Sequence, residues 1–247
     1  MYLAIDVGNT TIGVALISQH VIQKQVRFST YPLMNAEAFA KCIVNEFGSK
    51  FDDVIASSVV PKVEAILKEC FEQHFHLMIN FIKYDTPSGL KIMLNNPAEL
   101  GADLLADGVA GGKRYPKGVL VVDLGTATKF IVVKDNKFLG GAIAPGIMSS
   151  LKGLIENAAL LEETALQKPQ RVIENNTIGC IQSGLINGTI AMVDGMIDKI
   201  LQENGPLEVI ITGGLADSII SGLKASFTYC PNLIYEGIMQ IYEMAYQ

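Results

Sequence analysis

Short apolar runs alternate with longer amphipathic stretches along this chain, and the alternation predicts its elements. Strands are expected around residues 2 to 6, 12 to 18 and 21 to 29, followed by a helix from Ala36 to Phe47 and a strand at 53 to 57. A helix from Lys62 to Gln73 and a strand near 77 to 82 follow. Three leading strands and then helix-strand alternation give an antiparallel meander joined to parallel crossovers, which is a mixed α/β sheet. The second half repeats the opening, with strands at 119 to 123, 128 to 134 and 137 to 143, Asp135-Asn136 as a hairpin turn, and helical segments after them. A long helix from Thr177 to Glu203 stops at Asn204-Gly205-Pro206 and feeds a strand over 207 to 212. Small residues at Gly184, Gly188, Ala191 and Gly195 on that helix, and at Ala102, Ala106 and Ala110 between the halves, imply close helix packing.

The duplication is sharpest at two acidic turns. DVGNTTIGVALI begins at Asp6 and DLGTATKFIVVK at Asp123, each after an apolar strand-like run. In both, an aspartate ends the strand, a glycine turns the backbone and small hydroxyl or amide side chains fill the turn. Glycine admits a phosphate close to the backbone, Thr and Asn donate to its oxygens, and the carboxylate can hold Mg²⁺. Asp-x-Gly between apolar runs is also an ordinary hairpin signal. Its duplication, and a third glycine turn in EVIITGGLA ending at Ala216, favour a clamp for a nucleoside triphosphate.

Between the halves, the loop from Thr86 to Pro97 closes on Asn96-Pro97-Ala98-Glu99, which supplies an N-cap, a proline at the first helical position and a capping glutamate. A helix starting there puts Asp103 in its second turn, with Asp107 one turn further on the same face, where a carboxylate could reach a cleft. The expected domains are 1–114 and 115–247.

Composition narrows the partners. The chain has 247 residues, 49% hydrophobic content and a net charge of −6, which suits a globular protein and argues against a nucleic-acid surface. The N-terminus reads as neither signal peptide nor membrane span, and no apolar run is long enough to cross a bilayer. Cys42, Cys70, Cys180 and Cys230 are too scattered for a zinc or redox motif, so reduced thiols in a cytoplasmic setting are expected. His74 and His76 lack a third ligand nearby and read as a solvated helix end leading into a strand.

These residues resemble the type III pantothenate kinases, a family of the actin, sugar kinase and Hsp70 superfamily of duplicated ribonuclease H-like domains. The resemblance covers most of the chain. The family's first phosphate motif stands as DVGNT, its second as DLGTAT, its following loop as GGAIAPGI from Gly140 to Ile147, and its nucleotide-side turn as TGG at Thr212 to Gly214. The substrate motif stands as GAD at Gly101 to Asp103, and NTIGCIQSGLINGT resembles the stretch that opens the long helix.

The resemblance implies two actin-like α/β domains and transfer of the ATP γ-phosphoryl group to pantothenate. It assigns ATP and phosphate contacts to Asp6, Gly8, Asn9, Thr10, Gly125, Thr126, Thr128, Gly213 and Gly214, and Mg²⁺ to Asp6 and Asp123. Substrate contacts fall on Gly101, Ala102, Asp103 and Thr177, with Asp103 as general base. A homodimer is the implied assembly.

The chain departs from the family at four positions. Leu104 replaces an arginine after the motif aspartate, and Leu94 stands where a tyrosine is common. Lys91 or Lys113 could supply the missing cation for the substrate carboxylate. In the second phosphate motif Lys129 replaces a threonine and Ile131 an acid, beside which many members hold a monovalent cation. Lys129 is therefore a candidate substitute for K⁺ or NH₄⁺; the alternative is a lysine facing solvent from a strand edge. Two other functions stay open: a superfamily kinase of another small hydroxylated substrate, and a nucleotide-binding regulator without catalysis.

Overall fold

The computed structural model describes residues 1–157 and 165–246. Its residues group into two compact units, one of Met1–Lys113, Asn136–Phe138 and Leu233–Gln247, the other of Arg114–Asp135 and Leu139–Asn232.

In the first unit, β1 (Tyr2–Val7), β2 (Thr11–Ser18) and β3 (Val21–Ser29) form the expected antiparallel meander. Gln19 and His20, both at positive φ, make its second turn, a mirror-type turn whose twist suits a two-residue hairpin. After α1 (Ala36–Phe47) the chain enters β4 (Asp53–Ser58), parallel to β1, and after α2 (Pro61–Phe75) it reaches the short β5 (Asn80–Phe81). The sheet order is β3-β2-β1-β4-β5. Side chains alternate across β1: Leu3, Ile5 and Val7 join Phe39 and Ile43 of α1 and Leu67 and Phe71 of α2 in one core. Tyr2 lies on the opposite face, stacked on Tyr242 of the C-terminal helix α6 (Leu233–Tyr246). Asp6 shares the parity of Tyr2 and so belongs to the α6 face. His76 caps α2 in the left-handed conformation, as the helix-end reading expects.

The second unit repeats the plan. β7 (Val119–Leu124) and β8 (Ala127–Lys134) pair antiparallel, Asp135 and Asn136 turn the chain at positive φ, and β9 (Lys137–Pro145) follows. Beyond α4 (Ile147–Glu156) and α5 (Thr177–Asn204), β10 (Glu208–Thr212) runs parallel to β7 and β11 (Thr228–Tyr229) parallel to β10. Five of its strands, in the order β9-β8-β7-β10-β11, repeat the order of the first sheet. Leu120, Val122 and Leu124 pack against Ile186, Val193 and Ile197 of α5.

Three differences from the sequence expectations bear on the site. Pro97–Glu99 form a separate 3-10 turn capped by Asn96, and α3 (Ala102–Arg114) starts anew after Gly101, so Asp103 lies in its first turn rather than its second. Proline at the start and a tight Leu100-to-Pro97 carbonyl bond close that short turn before an α-helix propagates. Asp107, expected at a cleft, is only 2% exposed. Residues Leu233–Tyr246, assigned to the second domain by the division at 114/115, fold back as α6 onto β1 and β4 of the first unit, where Leu233, Ile238 and Ile241 are buried. The loop from Thr86 to Pro97 also contains a two-residue strand, β6 (Lys91–Ile92), paired with Lys137 and Phe138.

Candidate active site

The first glycine turn is built by the meander itself. Asp6 ends β1, and the Gly8 amide donates to the Thr11 carbonyl at 2.9 Å, closing the hairpin over Asn9 and Thr10. Thr30, buried after β3, ties the turn from below: its hydroxyl donates to the Gly8 carbonyl at 2.8 Å and its amide to the Thr10 carbonyl at 2.9 Å. With those carbonyls occupied, the exposed Asn9 and Thr10 side chains and the half-buried Asp6 carboxylate are what the turn presents. Ser57 sits beside Asp6 in parallel register, fully buried, and its hydroxyl has no hydrogen-bond partner among the described residues.

On the other side of Asp6 stands Gly13 of β2, and the Tyr235 hydroxyl of α6 occupies the space where a Gly13 side chain would go. Burial pushes the Tyr235 hydroxyl above the ordinary tyrosine range and the nearby Asp6 charge adds to this, while Arg27 and a hydrogen bond with Gln25 pull the other way. Thr30, Ser57 and Tyr235 were not singled out from sequence.

At the start of α3, the Leu104 amide donates to Asp103 Oδ1 at 2.8 Å, which fixes the carboxylate against its own helix turn. A β-carbon on Gly101 would stand 2.6 Å from the same oxygen, so the GAD motif needs its glycine for the Asp103 rotamer. Ala102 is buried; Asp103 and Leu104 are half-buried.

The second glycine turn differs from the first. Lys129 Nζ lies 2.5 Å from Asp123 Oδ2, and each side chain is only 14% exposed. The solvent-facing alternative for Lys129 is therefore corrected: it is the cross-strand partner of Asp123 and points at it. Asp123, expected as a metal carboxylate, already has an ammonium on one oxygen. Its other oxygen lies 2.5 Å from where a Gly213 β-carbon would be, and Gly213 has φ +99°, a conformation that a side chain would strain. Gly214 beside it is exposed. Ile131, where the resemblance would place an acid, is fully buried.

Gly125 closes its turn by donating to the Ala127 carbonyl at 3.0 Å, and Thr126 is exposed at the tip. The Thr126 carbonyl accepts from the Gly146 amide at 3.1 Å and from the Ser149 hydroxyl at 2.6 Å, so the loop from Gly140 to Ile147 is fastened to this turn. Thr128, expected as a phosphate donor, is 1% exposed, with an Oγ1 that has no partner among the described residues. Thr177 is exposed at the first position of α5, just after the Asn176 cap, whose side chain accepts from the Gly179 amide at 2.8 Å.

Among the described residues no group of three or more His, Cys, Asp and Glu could hold a metal, and no helix is long and apolar enough to cross a membrane.

Comparisons with known proteins bear on the family and the fold. The model of the type III pantothenate kinase family matches residues 2–199. The type III pantothenate kinase of Acholeplasma laidlawii is 36% identical over 245 residues, 98% of each chain. That of Solibacter usitatus is 35% identical over 251 residues, 98% of this chain and 96% of its own. MreB 5 of Spiroplasma citri, solved bound to AMPPNP, is 11% identical with a TM-score of 0.54, over 98% of this chain and 95% of its own. The likeness to MreB 5 bears on the fold, which is the duplicated, actin-like α/β architecture. Matched along four-fifths of its length by the family model and along nearly all of it by two relatives, the chain belongs to the type III pantothenate kinase family.

Proposed function

We propose that this protein transfers the γ-phosphoryl group of ATP to the primary hydroxyl of pantothenate, giving ADP and 4′-phosphopantothenate, the first step towards coenzyme A. The observation that carries the reading is the Asp6 turn, whose Gly8 and Thr10 carbonyls accept from Thr30 and which presents the exposed Asn9 and Thr10 beside the half-buried Asp6 carboxylate. Family membership supplies the substrate.

Asp103 orients the substrate hydroxyl and accepts its proton as the oxygen attacks the γ-phosphorus in line and the bond to the β-γ bridging oxygen breaks. The Leu104 amide already holds that carboxylate in one rotamer. Gly101 and Ala102 line its approach, and Thr177 is a further candidate substrate contact.

Asp6 fits Mg²⁺, which binds to one or two carboxylates with phosphate oxygens and water rather than in an all-protein cage. Mg²⁺ neutralises phosphate charge when bound. At the second turn Gly125, Thr126, Thr128, Gly213 and Gly214 serve the nucleotide. Asp123 and Lys129 act there as a fixed charge pair, Lys129 standing in for K⁺ or NH₄⁺. The reading carries with it a cytoplasmic homodimer, testable by sedimentation.

The test is to incubate pure protein with Mg²⁺-ATP and pantothenate and follow ADP and phosphorylated product. Transfer that disappears in Asp103→Asn supports the proposal. ATP binding without transfer to pantothenate would move the function to another hydroxylated substrate or to regulation.

A further inference from the structure

Asp6, Gly13 and Arg27 stand in a row across β1, β2 and β3, since Asp6 pairs with Gly13 and Gly13 with Arg27. Directly paired residues point to the same face of a sheet, so the missing side chain at Gly13 leaves a gap between a carboxylate and a guanidinium. The Tyr235 hydroxyl fills that gap, close enough that a β-carbon on Gly13 would collide with it. Asp6 is the cross-strand partner of Gly13, and its charge acts on the Tyr235 hydroxyl held over that glycine. Gln25, on the same face of β3 as Arg27, hydrogen-bonds the same hydroxyl. Tyr235 is 2% exposed, so its hydroxyl has little freedom to move away.

Packing alone does not require this arrangement. Glycine within a strand weakens it and marks a close approach. The next position on that face, Ala15, carries a side chain without difficulty.

We propose that Tyr235 is a positioning residue for Asp6, its hydroxyl directing the carboxylate towards the glycine turn from the space above Gly13. The proposal rests on the reading of Asp6 as the carboxylate that meets Mg²⁺ and phosphate. It also gives the C-terminal helix a function. Two positions after Tyr235, Gly237 crosses α3 so closely that a β-carbon would collide with the Ala106 carbonyl. One helix therefore sets both the Asp6 strand and the helix that carries Asp103.

Three variants of the full chain test this: Tyr235→Phe, Gln25→Ala and Asp6→Asn. The measurements are the dissociation constant of Mg²⁺-AMPPNP by calorimetry, the Mg²⁺ concentration for half-maximal turnover, and the Tm without nucleotide. Tyr235→Phe is expected to weaken Mg²⁺-AMPPNP binding and raise the Mg²⁺ requirement about five-fold, the effect of one hydrogen bond. Its nucleotide-free Tm should stay within about 3 °C of wild type. Gln25→Ala, on a half-buried strand, should shift both in the same direction by less, and it decides the matter should Tyr235→Phe not fold. Asp6→Asn should abolish Mg²⁺-dependent binding. Wild-type binding in Asp6→Asn would overturn the reading of Asp6 and the inference with it. Loss in Asp6→Asn with wild-type values in both other variants would leave Asp6 in place and reduce Tyr235 to packing.

Discussion

Lys129 and Asp123 face each other across the β7-β8 hairpin, with Nζ 2.5 Å from Oδ2 and both side chains largely shielded from water. An ion pair at that depth is asymmetric in its energetics. Forming it adds little net stability, but removing one member leaves a charge without compensation, at a cost of about 3 kcal/mol. Lys129→Met is therefore expected to lower the Tm by roughly 6 °C or more, measured by calorimetry. On the proposed reading the Lys129 ammonium stands in for the monovalent cation, so wild-type turnover should be unchanged when K⁺ is replaced by tetramethylammonium. Lys129→Thr should become dependent on K⁺ or NH₄⁺. Strict K⁺ dependence of the wild type would sink the idea that the lysine replaces the ion.

Gly101 tests whether the Asp103 rotamer matters to chemistry. The added methyl of Gly101→Ala would press on Asp103 Oδ1 from 2.6 Å and break its bond from the Leu104 amide. Displacing a positioned base by about 1 Å costs on the order of 100-fold in rate. The expected result is a kcat loss of that size with nucleotide binding unchanged. A normal kcat in Gly101→Ala would mean that Asp103 is not the base, or that it finds a second productive rotamer.

Gly213 is constrained twice, by φ +99° and by Asp123 and the Leu124 backbone against its α-carbon. Backbone atoms cannot step aside as a side-chain tip can. Gly213→Ala should destabilise the fold by about 2 kcal/mol or more. It should also weaken ATP, because the displaced neighbours are the second glycine turn itself. Urea denaturation and nucleotide titration of the same variant report the two effects, and an ATP affinity equal to wild type would separate the TGG turn from the nucleotide site.

The repeated meander was legible because its signals are local: apolar alternation, Asp-x-Gly turns and the Asp135-Asn136 hairpin each lie within a few residues. The helix start before Asp103 was misplaced because Asn96-Pro97-Ala98-Glu99 carries the chemistry of an α-helix N-terminus, and only the tertiary path of the chain stops it as a 3-10 turn. The contribution of α6 was hidden for a different reason. Leu233, Ile238 and Ile241 signal a helix, but that it returns to β1 and places Tyr235 over Gly13 depends on contacts more than 200 positions apart. Lys129 was legible as an oddity in a motif, whereas its partner required the register of β7 and β8.

Tyr242 shows the same return of α6 at the far end of β1, and it gives the fold an alkaline limit. Its ring stacks on Tyr2 with centroids 4.0 Å apart, and its hydroxyl donates to Asp53 Oδ2 at 2.9 Å. Burial, and then that hydrogen bond and the Asp53 charge, push the Tyr242 hydroxyl up to about 12. Burial, and then the Glu243 charge, push Tyr2 upward as well. In the unfolded chain both titrate near about 10, so the folded state holds its protons more tightly. The stabilisation is complete below that value and is lost as the pH rises through about 12, where Tyr242 ionises in the fold. Denaturation free energy should fall across this window. Tyr242→Phe removes one titrating group, so its slope should be shallower by up to about 1.4 kcal/mol per pH unit. At pH 8 the variant should be less stable by about 1 kcal/mol for the lost hydrogen bond, and no more. Asp53 keeps its bonds from the Val54 amide at 2.7 Å and the Asn80 side chain at 3.2 Å, so the substitution leaves no stranded carboxylate. Equal slopes in wild type and Tyr242→Phe would show that the alkaline limit lies elsewhere in the chain.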